Sequence, residues 1–296
     1  MKPVQKILII VFFSIISSGL TRANTYTLLI GMDVINDSAY LKKYNKEYDK
    51  DGTSGVYKDI ISLKRITGPN KHIVTELRGK EATREAILKA ISDIGELIKV
   101  GDQFLFYYSG HGDFIPDQNG DEKSKFDQVM VAYDDFLVDD EIDLMMVKYF
   151  TKTKNIMIVD ACHSGSSYKN MSFFIDFKLG TNKNKYTNEL LALKQLVETK
   201  ECNITTILDE PYDLLYFGAT PDGELAQGDH MGGLLTLLLN NIVRDVKENG
   251  EWNKYSYEKL ACELSKAMKK KKQNLQFLAI GRGAKDFAKL VPFKTY

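Results

Sequence analysis

The chain has 296 residues, enough for one large domain or two small ones with a sizeable core. Lys and Arg together number 40, and so do Asp and Glu, so the formal charge is zero and no overall field draws the protein to nucleic acid or an anionic membrane. Apolar residues at 44% and charged residues at 27% exclude wholesale disorder.

The first 23 residues differ from the rest. Lys2 and Lys6 precede the apolar run ILIIVFFSII, and SSGLTRA follows with small residues at Thr21 and Ala23. A charged start, a short apolar stretch and small residues at a cleavage point predict a secretory signal peptide over 1–23. The run is short for a membrane span, so no stable membrane insertion is expected once it is removed.

From Asn24 onward, apolar runs alternate with helical periodicity. Strands are predicted at Thr25–Gly31, His72–Leu77, Gln103–Gly110, Asn155–Ala161, Asp213–Thr220 and Leu275–Gly281. Each is continuously apolar and rich in aromatic or β-branched residues, the composition of strands covered on both faces. Helices are predicted at Gly55–Ile66, Thr83–Ile98, Asp140–Phe150, Asn188–Glu198, Gly232–Lys247 and Ser256–Lys270. In the second of these, Thr83, Ala86, Ile87, Ala90, Ile91 and Ile94 form one apolar stripe. The alternation implies an α/β fold with a mostly parallel sheet between helices. Between Tyr168 and Lys200 the composition shifts to Lys and Asn, an exposed connection. The chain thus divides into a larger part (24–167), a connecting segment (168–212) and a smaller part (213–296). Lys269–Lys272 reads as the solvated end of a helix.

Cys162, Cys202 and Cys262 are the three cysteines, an odd number that leaves at least one free or paired between chains. Cys202 and Cys262 are expected as structural thiols, with a disulfide between them as the alternative. The chain has no CxxC, and His72, His111, His163 and His230 lack metal-ligand spacing, so a zinc site is not expected.

Two strands end in reactive residues. FLFYYSGHGD delivers His111 between Gly110 and Gly112, and IMIVDACHSG delivers Cys162 ahead of Ser164 and Gly165. In open α/β sheets reactive groups collect at the carboxyl ends of strands. The 51 positions between His111 and Cys162 suit one crossover, which brings both residues to one rim of the sheet. A thiol needs a base or cation beside it to become a nucleophile near neutral pH, and imidazole is the usual partner.

YYSGHGD followed by DACHSG resembles the caspase-like cysteine peptidases, and more closely the metacaspases. The caspase signature also has its histidine about 50 residues upstream of the cysteine. The resemblance covers roughly Tyr26 to Gly281 and is densest from Phe104 to Ser166. It implies a caspase-like three-layer sandwich on a mostly parallel six-stranded sheet. It also implies a cysteine endopeptidase that needs no cofactor for the chemistry and takes protein or peptide substrates. His111 would be the general base and Cys162 the nucleophile, with the backbone N–H groups of Gly112 and Cys162 as oxyanion donors. His163 is expected to be structural. The competing reading is a catalytically silent caspase-like binding scaffold; the presence of both histidine and cysteine weighs against it.

Period-2 alternation puts Asp160 on the same side as Cys162 at the strand end. A carboxylate there repels an acidic substrate residue and attracts arginine or lysine. By the metacaspase parallel, Asp59 in SGVYKDII and Ser109 in YYSGHG join the same pocket, with Val56 where the family carries cysteine. Asp222 and Glu224 in GATPDGELAQGD add negative charge from the smaller part. Cleavage after Arg or Lys is therefore expected. In PDQNGDEKSKFDQ, Asp117, Asn119 and Asp121 alternate like the start of a calcium loop, but Glu122 and Gln128 at the sixth and twelfth places exclude an EF-hand. The resemblance instead places an activating calcium at Asp127, Asp139 and Asp140, with Lys169 near the place of a further acidic ligand. Lys183, Lys185, Lys194 and Lys200 in the connection are candidate self-processing sites.

Overall fold

The computed structural model describes residues 23–35, 39–43, 46–47, 55–68, 72–117, 126–163, 205–208, 210–220 and 226–294. Residues 1–22 of the expected signal peptide, the whole Lys- and Asn-rich stretch Tyr168–Lys200 and with it the helix expected at Asn188–Glu198 lie outside them.

The six predicted strands are all present and lie side by side. They are β1 (Thr25–Gly31), β2 (His72–Arg78), β3 (Gln103–Pro116), β6 (Lys154–His163), β8 (Asp213–Gly218) and β11 (Gln276–Ile280). Their order across the sheet is β2-β1-β3-β6-β8-β11. The pairs β1/β2, β1/β3, β3/β6 and β6/β8 are parallel, and β8/β11 is antiparallel. Three further strands make the sheet nine-stranded. β4 (Phe126–Val131) and β5 (Phe136–Val138) extend from the far end of β3, and β7 (Thr205–Ile207) adds to the edge beside β11. The sequence reading gives an acidic loop at Pro116–Gln128 and no strand before the helix at Asp140, yet FDQVMV and FLV pair as a hairpin whose turn closes through Ala132 N–H donating to the Asp135 carbonyl at 2.9 Å. Its apolar partners Ile115, Val129, Val131, Phe136 and Leu41 form a small core of their own.

Helices cover both faces, which is why the strands are apolar throughout instead of alternating. On one face, Leu28, Phe104, Phe106 and Met157 pack against α3 (Arg84–Leu97) and α4 (Asp139–Tyr149), with Phe104 and Phe150 stacked at 4.2 Å. On the other, Leu29, Leu105, Ile156 and Ile158 pack against α2 (Val56–Thr67), α5 (Leu234–Glu248) and α6 (Tyr257–Lys270). Short helices α1 (Ala39–Lys43) and α7 (Ala284–Phe287) complete the set among the described residues. The expected starts at Thr83 and Ser256 are caps: their side chains accept from Ala86 N–H and Lys259 N–H. Cys262 on α6 is disulfide-bonded, in place of the free structural thiol expected first; its partner's side chain lies outside the described residues. Among the described residues, no helix is long and apolar enough to cross a membrane.

The α3–α4 contact yields a test with a counterintuitive sign. Glycine inside a helix normally costs ~1 kcal/mol relative to alanine. Here a methyl group at Gly95 would overlap the ring of Tyr149, and overpacking costs about 1–3 kcal/mol. Gly95→Ala is therefore expected to lower Tm in a thermal melt, whereas a rise would contradict this packing.

Candidate active site

The parallel ladder between β3 and β6 builds the site. Its register pairs Ser109 with Asp160 and His111 with Cys162 as Cα partners, at the carboxyl end of β6 and of the parallel ladder, while β3 runs past the strand end expected at Gly110 to pair with β4 as far as Pro116. Gly112 is a Cα partner of both His163 on β6 and Met130 on β4, where one ladder gives way to the other. Alternation along β3 puts Tyr107, Ser109 and His111 on the face covered by α2 and α5. His111 is buried at 4% exposure and lines a small cleft.

The cleft gathers carboxylates from three parts of the chain: Asp160 from β6, Asp59 from the first turn of α2, and Asp229 from a two-strand hairpin. That hairpin consists of β9 (Gly228–Asp229) and β10 (Gly232–Gly233) and leads directly into α5. Ser109 Oγ donates to Asp59 Oδ2 at 2.8 Å. The N–H of Gly233 donates to both carboxylate oxygens of Asp59, each at 3.1 Å. The N–H of Thr236 donates to Asp160 Oδ2 at 2.8 Å, and its hydroxyl shares a 2.7 Å hydrogen bond with Tyr107 Oη. The N-terminus of α5 thus meets both buried acids, and Asp59 itself stands in the first turn of α2, where the helix dipole favours negative charge.

Burial nevertheless dominates. Asp59, 2% exposed, has its pKa pushed up to about 8 by desolvation and then by the nearby charge of Asp160, against the opposing bonds from Ser109 and Gly233. Asp160 is pushed up to about 6 by desolvation, with the Thr236 bonds pulling the other way. Tyr107 beneath them is raised well above its ordinary value, by burial first and then by the two carboxylates. Two like charges confined together cannot both ionise cheaply, and a cation between them would relieve the cost.

Of the residues read from sequence, His111, Ser109, Asp59 and Asp160 share one cleft, and the Cys162 backbone sits beside His111. Val56, the departure from the family's cysteine, lines the same cleft. Asp222 and Glu224 lie outside the described residues, while Asp229, the last residue of the stretch that contains them, lines the cleft. Sequence reasoning passed over Asp229, Gly232, Gly233 and Thr236; the signal was the tandem glycine in MGGLLT just before a helix. Asp127 and Asp139 are buried and Asp140 is partly exposed. Among the described residues, no group of three or more His, Cys, Asp or Glu side chains could hold a metal ion.

Residues 35–170 match the family described as metacaspase, peptidase C14 domain. Metacaspase-1A of Aspergillus terreus is 36% identical over 92 residues, which is 29% of this chain and 23% of that protein. Metacaspase-1 of Meyerozyma guilliermondii is 33% identical over 95 residues, 30% of this chain and 23% of that protein. The matched stretch thus spans about a quarter of the length of these relatives. A crystal structure of a protein from Geobacter sulfurreducens superimposes with a TM-score of 0.66 at 24% identity, covering 92% of this chain and 99% of that one, which speaks to the fold alone. Taken with the paired strand ends, these findings show a region, residues 35–170, that is similar to the metacaspase, peptidase C14 domain, on a mostly parallel α/β sheet whose fold is shared with the Geobacter protein.

Proposed function

We propose that the protein is a cysteine endopeptidase that cleaves peptide bonds after Arg or Lys, acting after export with residues 1–23 removed. The observation that carries this is the Cα pairing of His111 with Cys162 at one rim of the sheet, beside a cleft that holds His111 and two buried carboxylates. His111 takes the proton of the Cys162 thiol, and the thiolate attacks the carbonyl carbon of the scissile bond. The negative oxygen that forms is met by backbone N–H groups, for which Cys162 and Gly112 are the candidates. Collapse expels the amine, which takes its proton from His111, and leaves a thioester on Cys162. Water, deprotonated by His111, then hydrolyses the thioester and restores the thiol.

The carboxylate pair supports the basic preference. A guanidinium or ammonium entering the cleft supplies the opposite charge that Asp59 and Asp160 lack from each other. An aspartate side chain would bring a further negative charge into a desolvated site that already resists holding two, and such juxtaposition costs several kcal/mol. With tenfold per 1.4 kcal/mol, peptides ending in Arg or Lys should exceed an Asp-ending peptide by about two orders of magnitude or more in kcat/KM. Preference for Asp would overturn the pocket assignment. Cys162→Ala should abolish turnover, and His111→Ala should lower kcat by roughly 10²–10⁴; substantial activity in either variant contradicts the dyad.

The same pair predicts a pH dependence. Both folded-state pKa values lie above the ordinary 3.8, so the fold favours the protonated acids. That contribution to stability is complete below the unfolded value and is lost as pH rises through about 6 and then about 8. Asp59→Asn removes the larger shift. Its Tm relative to wild type should therefore climb between pH 5 and pH 9 while its turnover of Arg-ending peptides falls. A Tm difference that stays flat with pH would show that the pair is not strained in this way.

Self-processing belongs to the same proposal. Wild-type protein on standing should be cut at one or more of Lys183, Lys185, Lys194 and Lys200, and Cys162→Ala should stay intact. Identical unbroken chains on a denaturing gel would exclude it.

A further inference from the structure

We propose that Gly232, Gly233 and Thr236 are positioning residues that set the two pocket carboxylates for a single guanidinium or ammonium group, and so determine the basic selectivity. This rests on the pocket reading above and concerns residues far from the dyad in sequence. Each glycine of the pair faces one acid. A methyl group at Gly232 would overlap the carboxylate of Asp59, and one at Gly233 would overlap that of Asp160. Gly233 has ordinary extended backbone angles, φ −72° and ψ 146°, so its backbone alone would accept any residue. What excludes a side chain there is the carboxylate.

The gap left by those absent side chains is what the backbone uses. Gly233 N–H reaches both oxygens of Asp59, while Thr236 N–H reaches Asp160. Thr236 is itself held by its hydroxyl bond to Tyr107, so β3 and β6 are tied to α5 through one residue. Hydrogen bonds to a charged acceptor are worth about twice neutral ones, so fixing both acids in this way prepares the pocket before the substrate arrives. The groups acting on Asp59 and Asp160 come from α2, β3, β6, the hairpin and α5, namely Ser109, Tyr107, Gly233, Thr236 and each other.

The test compares Gly233→Ala with Gly250→Ala. Gly250 has φ +70° and open space around its Cα, so alanine there strains the backbone without touching the pocket. Two readouts are taken: the ratio of kcat/KM for an Arg-ending peptide to that for a Met-ending one, and the rise in Tm produced by agmatine, a guanidinium probe that needs no turnover. Gly233→Ala should lower the ratio about tenfold, mainly through KM for the Arg peptide, and should lose the agmatine shift; Gly250→Ala should keep both at the wild-type level. Should Gly233→Ala fail to fold, Thr236→Val, which removes the hydroxyl without adding bulk, should lower both readouts in the same direction. An unchanged ratio with an unchanged agmatine shift, or no agmatine shift in the wild type, overturns the inference. Wild-type protein that shifts with agmatine, loses the shift in Gly233→Ala and yet cleaves no peptide would overturn the peptidase proposal and leave the positioning role supported.

Discussion

Two desolvated carboxylates at the end of a parallel sheet are the constraint around which this molecule is arranged. Nothing in a hydrophobic core requires them: Asp59 and Asp160 sit a turn or a strand-step from fully apolar neighbours, and both are driven toward protonation by burial. A protein tolerates that cost where the strained groups have a task, because a structural role would be served as well by apolar side chains. The surrounding architecture reads as compensation. α5 ends its N-terminus on the two acids, Ser109 adds a hydroxyl, and the tandem glycine of β10 leaves room for backbone donors where side chains would otherwise stand.

On the proposed reading, the β3–β6 ladder links the recognition pocket to the reacting pair. Its register pairs Ser109 with Asp160 and, two steps on, His111 with Cys162. Because side chains alternate along strands, selection and reaction are separated by a single period on the same two strands. The pieces come from both sides of the long connection. The larger part supplies Asp59, Ser109, His111 and Asp160, and the smaller part supplies the hairpin and the N-terminus of α5.

Much of this was legible from sequence, for identifiable reasons. TYTLLIG and NIMIVDA show no alternation of apolar and polar faces because helices cover both sides, and such runs can be found without any structure. Glycine-flanked His111 and Cys162 stood out because reactive residues were placed where apolar strands stop. Asp160 followed from period-2 alternation. What stayed hidden was set by tertiary contact. The β4–β5 hairpin is buried against Leu41 and Ile115, yet its strands are short and flanked by acids, so the local pattern looked like a loop. Gly232 and Gly233 looked like a plain helix entry; only the position of α5 against α2 reveals that each faces a carboxylate. Asp229 was masked by nearer acids in the same stretch, and no residue-level rule distinguishes them before the hairpin is folded.

The most direct measurement is covalent trapping. Purified protein is treated with matched peptidyl acyloxymethyl ketones ending in Arg and in Asp, and the modified residue is mapped by mass spectrometry. The account predicts one adduct, on Cys162, formed by the Arg probe far faster than by the Asp probe and slowed in His111→Ala. Equal labelling by both probes, labelling at another cysteine, or a rate indifferent to His111 would contradict it.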